Sequence, residues 1–200
     1  MRTIYLASNN PGKLREFKQA AMAMEISVQL LPGIDSLPAC IEDGSTFEAN
    51  ARKKALYYSG FTEGMVFADD SGLCVDALEG APGVFSARFA GPEADDEANN
   101  QKLLRDLAKV PPKKRSARYI CVIALAERGQ ILNVVEGRAD GLIQQEPCGT
   151  GGFGYDPYFF YPPLAQTFAQ LSTEEKFTVS HRGEAFRKLL ASLWLEAHRK

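Results

Sequence analysis

At 200 residues, 45% of them hydrophobic, the chain can bury a sizeable core and is too apolar to be a disordered polymer. Its formal net charge of -2 leaves no footprint for non-specific binding along duplex nucleic acid, so no nucleic-acid partner is expected. Two histidines, His181 and His198, exclude a multi-histidine zinc site, and four scattered cysteines (Cys40, Cys74, Cys121, Cys148) point to a reduced, cytoplasmic chain with small buried thiols.

Residues 3–8, TIYLAS, form a buried strand by pattern, and the polar turn after it comes too soon for the apolar region of a signal peptide. After NNPG, Leu14, Phe17, Ala21 and Met24 recur at helical spacing. ISVQLL (26–31) is a second strand, closed by Pro32 and Gly33. Ser45-x-x-Glu48 reads as a capping box opening a helix with Phe47, Asn50, Ala51, Lys54 and Tyr58 on one face. Asn50 and Lys54 are polar intruders on that apolar stripe.

MVFA (65–68) is a strand leading into Asp69 and Asp70, LCVDAL (73–78) another, and APGVFSARFAG (81–91) should be extended in its middle. Asp96 is expected to cap a helix that ends before Pro111-Pro112, with Lys113, Lys114 and Arg115 in a solvated loop. SARYICVIALAE (116–127) and ILNVVEGRADGLI (131–143) read as an antiparallel hairpin about Gly129. Its YICVIALA run is far short of the roughly 20 apolar residues of a membrane helix, so no membrane association is expected. The closing helix sets Phe186, Leu189, Leu190 and Leu193 on one face and ends in cations. Strand-helix units and a hairpin together predict an α/β fold with a mixed sheet.

Four clusters could carry chemistry. SNNPGK (8–13) is a strand-to-helix turn whose backbone N–H groups and Lys13 would face an anion, or it is an ordinary turn using Asn and Gly. Asp69 and Asp70, followed by Ser71 and Gly72, could hold Mg2+ and leave coordination sites for phosphates, with Glu42 and Asp43 as further oxygen donors; the alternative is a capped turn. Adjacent aspartates within a strand would point to opposite faces, so one would enter the core and need a compensating cation. GTGGFG (149–154) fits G-x-G-x-x-G, but Tyr155, Asp156 and Pro157 follow instead of a helix, which refuses a dinucleotide fold. A Gly-rich loop admitting a ligand, with Phe153 or Tyr155 to stack on a planar ring, suits it better. Lys176, His181 and Arg182 offer donors to carbonyl or phosphate oxygens, or sit in a solvated loop. Composition and spacing reach as far as a Mg2+-dependent nucleotide-binding protein.

The stretches LASNNPGKLREF, TFEANARKKA, ADDSGLCVDAL, GAPGVFSARFAG, GTGGFGYDPYFF and SHRGEAF, in this order over nearly the full chain, resemble the inosine triphosphate pyrophosphatases, also called dITP/XTP pyrophosphatases. The resemblance implies an α/β fold: a long mixed sheet flanked by helices, two lobes with a central active-site cleft, and one domain over residues 1–200. It implies hydrolysis of non-standard purine nucleoside triphosphates (ITP, dITP, XTP) to monophosphate and pyrophosphate, with Mg2+ (Mn2+ as a substitute), by a homodimer. It implies that Ser8, Asn9, Asn10, Pro11, Gly12 and Lys13 bind the triphosphate, and that Asp70 is metal ligand and general base, with Glu42 and Asp69 completing or supporting the metal site. Asn50, Lys54, Ser71, Phe153, Gly154, Tyr155, Asp156, Lys176, His181 and Arg182 fall on its substrate-contacting positions. One departure is Ala49, where many members carry Glu. The alternatives are a nucleotide phosphohydrolase of another substrate or cleavage site, and a nucleotide-binding protein without turnover.

Overall fold

The computed structural model describes residues 2–21 and 26–197; Met24 and His198, named above, lie outside the described residues. The elements run β1 (Arg2–Leu6), α1 (Pro11–Ala21), β2 (Ile26–Leu30), α2 (Phe47–Ser59), β3 (Val66–Val75), α3 (Asp96–Asp106), β4 (Ser116–Glu127), β5 (Gln130–Ile143), β6 (Phe159–Tyr161), β7 (Gln166–Thr167), α4 (Thr173–Val179) and α5 (His181–Ala197). One seven-stranded sheet takes the order β2-β1-β3-β4-β5-β6-β7. β1 is parallel to β2 and β3, whereas β6 is antiparallel to β5 and β7, so the expected mixed α/β sheet is the observed one. Among the described residues no helix is long and apolar enough to cross a membrane.

The chain divides into two compact units, one of residues 1–70, 121–137 and 181–200, the other of residues 71–120 and 138–180. In the first, Phe17 of α1 and Phe186 of α5 pack with Phe67 of β3 at ring separations of 4.8–5.7 Å. The apolar stripe predicted for α5 is buried throughout, at Phe186, Leu189, Leu190 and Leu193. A side chain at Gly137 would collide with the His181 carbonyl and the Ala185 N–H, so glycine lets β5 run directly under the first turn of α5. In the second unit Tyr119, Phe159, Phe168 and Tyr161 form an aromatic cluster, joined by Leu73, Val75, Leu103 and Leu107.

Several local expectations shift. β3 does not stop at the aspartates: it runs unbroken from Val66 to Val75, and Asp76–Leu78 is a 3-10 turn. Residues 83–88 form another 3-10 turn instead of an extended segment. The cap of α2 is Thr46, which accepts from Ala49 N at 3.1 Å, and Glu48 pairs with Arg52 at 2.6 Å. The cap of α3 is Asp95, accepting from Ala98 N at 2.8 Å. Lys113 and Lys114 are exposed as expected, but Arg115 is buried, donating to the carbonyls of Val110 and Leu107 beyond the end of α3. Cations suit that negative helix end. The hairpin about Gly129 is present, its two turn residues Arg128 and Gly129 both left-handed (φ 49° and 75°), which matches the strand twist.

Candidate active site

β3 carries the two aspartates at successive positions, and alternation gives them different neighbours. The Asp69 side chain is only 1% exposed; Lys13 Nζ lies 2.8 Å from it and Arg182 Nε 3.7 Å. Burial opposes its charge, but Lys13, Arg182 and Lys54 outweigh that and hold its pKa at about 2. Arg182 also donates through Nη1 to Glu16 Oε2 at 2.7 Å. Two carboxylates and two cations thus form a buried chain, Glu16, Arg182, Asp69, Lys13, in which the charge is balanced, as interior charges require. Its carboxylates, Glu16 and Asp69, keep Arg182 charged despite burial; Lys13, 17% exposed, is its most accessible member.

Asp70 is placed differently. Its side chain is 13% exposed, Asn50 Nδ2 donates to Oδ2 at 3.0 Å, and Lys54 Nζ stands 3.6 Å from Oδ1. Burial raises its pKa, more than Lys54 and the Asn50 hydrogen bond lower it. Lys54 also reaches Glu42 Oε2 at 2.9 Å, and although burial disfavours its charge, Asp70, Asp69 and Glu42 keep its pKa above the ordinary lysine value. Asn50 Oδ1 accepts from Gly44 N at 2.7 Å, tying the segment that carries Glu42 to α2; a side chain at Gly44 would strike that amide. The polar intruders on the α2 stripe are therefore both bound to the acidic site. Asp43 instead pairs with exposed Lys53.

At the start of α1, Asn10 Oδ1 accepts from Gly12 N (2.8 Å) and Lys13 N (3.1 Å), and Ser8 Oγ accepts from Asn10 N (3.2 Å). Two N–H groups expected to face an anion are thus satisfied by the Asn10 cap; Asn9 is exposed and Pro11 opens the helix.

The second unit holds Ser71, Phe153, Gly154, Tyr155, Asp156 and Lys176, whereas His181 belongs with Arg182 to the first. Lys176 of α4 meets Asp156 Oδ2 at 2.5 Å and lies 4.6 Å from the centre of the Phe153 ring. Phe153, 38% exposed, can present its ring to a ligand, but Tyr155 cannot: it is buried in the aromatic core and its hydroxyl donates to Ser86 O. The glycines also differ from expectation. A side chain at Gly149 would strike Ala169, and one at Gly152 would strike Asp156, so the close approaches they permit are to the chain itself. Ser71 is half-buried on β3. His181 and Arg182 begin α5, and both are buried.

Sequence inspection missed Glu16, whose partner Arg182 is 166 residues away. It also missed α4, although Ser172-x-x-Glu175 is a capping box with both bonds formed. Among the described residues no three His, Cys, Asp or Glu side chains gather as a metal-binding group.

Residues 4–192 match the Ham1 family. The chain belongs to that family. Among Ham1 relatives, a dITP/XTP pyrophosphatase of Desulforamulus reducens is 48% identical over 193 residues, 95% of this chain and 94% of that protein. A dITP/XTP pyrophosphatase of Bacillus licheniformis is 48% identical over 193 residues, 96% and 98% of the two chains. The structure of a HAM1 protein from Coxiella burnetii matches with a TM-score of 0.87 at 42% identity, covering 96% of this chain and 98% of that one. Both acidic clusters and the glycine-rich loop of this Ham1 chain fall inside the family match.

Proposed function

We propose that this chain hydrolyses dITP, XTP and ITP to the nucleoside monophosphate and pyrophosphate, with Asp70 as the residue that activates water. Its relatives' activity supports the reaction, and the observation that carries the assignment is Asp70 itself: a mostly buried carboxylate held by Asn50 and Lys54, with Glu42 on the same lysine.

The donor set suits a hard divalent cation, since Asp70 and Glu42 present carboxylate oxygens to one point of positive charge. Mg2+, or Mn2+ in its place, bound there with substrate phosphates would neutralise charge on the phosphate oxygens. Asp69 is a poorer ligand because Lys13 and Arg182 already engage it; its work is to fix those two cations.

Asn50 orients Asp70 by the bond to Oδ2, leaving the carboxylate to take a proton from the water that attacks the α-phosphorus. The bond from the α-phosphorus to the bridging oxygen breaks, and pyrophosphate leaves. Lys13, which ends the strand-to-helix turn of residues 8–13, stabilises the charge that develops on it. On the base side we assign Phe153 to stacking and Lys176, His181 and Arg182 to donors. A carbonyl at C6, as in inosine and xanthine, accepts from such donors, whereas the adenine amine does not. Ser71, Gly154, Tyr155 and Asp156 shape that contact surface, with Tyr155 acting from the core. The family resemblance further supports a cytoplasmic homodimer in which residues 1–200 act as one domain.

The test is product analysis with Mg2+ and dITP, XTP, dGTP or dATP. Monophosphate plus pyrophosphate, formed from dITP and XTP far faster than from the ordinary nucleotides, is the expected result. Release of diphosphate and orthophosphate would overturn the cleavage site, and equal rates on dATP would overturn the base assignment.

A further inference from the structure

Gly154 is gripped at both of its backbone polar groups by one face of α3. Asp96 Oδ2 accepts from Gly154 N at 2.6 Å, and Asn100 Nδ2 donates to Gly154 O at 2.9 Å. The two side chains stand four residues apart, one turn along the same helix face. Gly154 has φ +63°, a conformation open to glycine and strained for other residues, so the grip fixes the chain at a residue whose own backbone is permissive.

Asn100 shows what the grip is worth. It is 5% exposed, and its Oδ1 has no hydrogen-bond partner among the described residues. A buried acceptor left unmade carries a desolvation cost, which an apolar side chain would avoid. What the amide supplies in return is the Nδ2 bond to Gly154. The neighbours of Gly154 then follow: Phe153 N donates to Asp156 Oδ2, which also binds Lys176, whose ammonium lies over the Phe153 ring. On the far side the Tyr155 hydroxyl, bonded to Ser86 O, closes the loop against the 3-10 turn at residues 83–88.

We propose that Asp96 and Asn100 are positioning residues for nucleotide specificity: by clamping Gly154 they set the place of the Phe153 ring and of the Lys176 ammonium. The proposal rests on the assignment of Phe153 and Lys176 to the base. It concerns recognition of the base and leaves the groups around Asp70 untouched, and so predicts an effect on KM and on discrimination with kcat largely spared.

Asn100→Asp exchanges the donor for an acceptor of the same shape, and Asp96→Ala removes the other half of the clamp at an exposed site. Each is expected to raise KM for dITP about tenfold, keep kcat within about threefold, and narrow the preference for dITP over dATP. Asp96→Asn, which retains an acceptor for Gly154 N, should restore most of the KM. Asn99→Ala is the control for a merely structural role. Asn99 is the adjacent buried amide, bonded to Ala87 O and Ala90 N, and its loss should lower Tm without changing the preference. Unchanged KM and preference in Asp96→Ala, or an equal change in Asn99→Ala, would overturn the clamp. Should Asn100→Asp not fold, Asp96→Ala and its Asp96→Asn rescue decide alone. Wild-type turnover of dITP and XTP judges the proposed function separately: if it is absent both proposals fall, and if it is present only the variants bear on the clamp.

Discussion

Asp69 and Asp70 share a strand, and the difference between them is what surrounds each. Asp69 is a structural charge, one link in a buried chain with Lys13, Arg182 and Glu16. Asp70 is a charge that burial disfavours, with neighbours that compensate it incompletely. Neutralising the two should therefore have opposite consequences. Asp70→Asn should lower kcat at least about 100-fold, the low end for loss of a general base, while leaving Tm unchanged or raised. Asp69→Asn strips a partner from two cations in the interior and should cost about 3 kcal/mol, a fall in Tm of about 6–12 °C for a chain of this size. Parallel kinetics and thermal melts check both; a large Tm loss in Asp70→Asn would mean that its charge is structural. At this scale much was legible in the sequence. Asn50 and Lys54 announced themselves as polar residues on an apolar helix face, and both bind the acidic site. Glu16 left no such mark, because what makes it interior is a guanidinium far along the chain.

Elements were legible in kind and blurred at their ends. The caps of α2 and α3 each fell one residue from expectation, since Ser45 and Thr46, and Asp95 and Asp96, are adjacent residues that can all cap. Ser71-Gly72 looked like a turn, yet β3 continues through it because tertiary pairing outweighs the weak local preference of two small residues. Helix α4 shows how much a cap matters when the helix is short. Ser172 Oγ accepts from Glu175 N at 3.2 Å and Glu175 returns a bond to Ser172 N at 2.9 Å. Seven residues are too few to hold a helix by themselves. Ser172→Ala should cost about 1 kcal/mol, or about 2–4 °C in Tm, and should raise KM for the nucleotide, since α4 carries Lys176. The bonds to Ser172 depress the Glu175 pKa. A depressed carboxylate stabilises above its unfolded pKa and loses that contribution as pH falls through the folded value. The Tm gap between wild type and Glu175→Ala should thus close on acidification; a gap unchanged below pH of about 3 would remove that carboxylate bond from the account.

For the whole molecule, alternating strands and helices with one hairpin were enough to foresee a mixed sheet, whereas the order β2-β1-β3-β4-β5-β6-β7 rests on pairings that no local pattern encodes. The acidic site has the same character: its members come from α1, α2, β3, α5 and the segment before α2, and they meet only in the folded chain. That assembly also bears on how a metal would bind. The carboxylates are engaged by Lys13, Lys54 and Arg182, and among the described residues no group of three candidate ligands stands ready. A cation that prefers six oxygens and usually takes one or two from carboxylates must draw the rest from water and substrate phosphates. Mg2+ alone should therefore leave Tm within about 1 °C. Mg2+ with a non-hydrolysable purine triphosphate at about 100 times its Kd should add about 2.7 kcal/mol, which for 200 residues is a rise of about 5–11 °C. The nucleotide without metal should give a smaller rise, since its phosphates then meet Asp70 and Glu42, two carboxylates that share the single ammonium of Lys54. Thermal melts across the four conditions decide it: a full shift with Mg2+ alone would require a preassembled metal site, and equal shifts with and without metal would detach the acidic cluster from nucleotide binding.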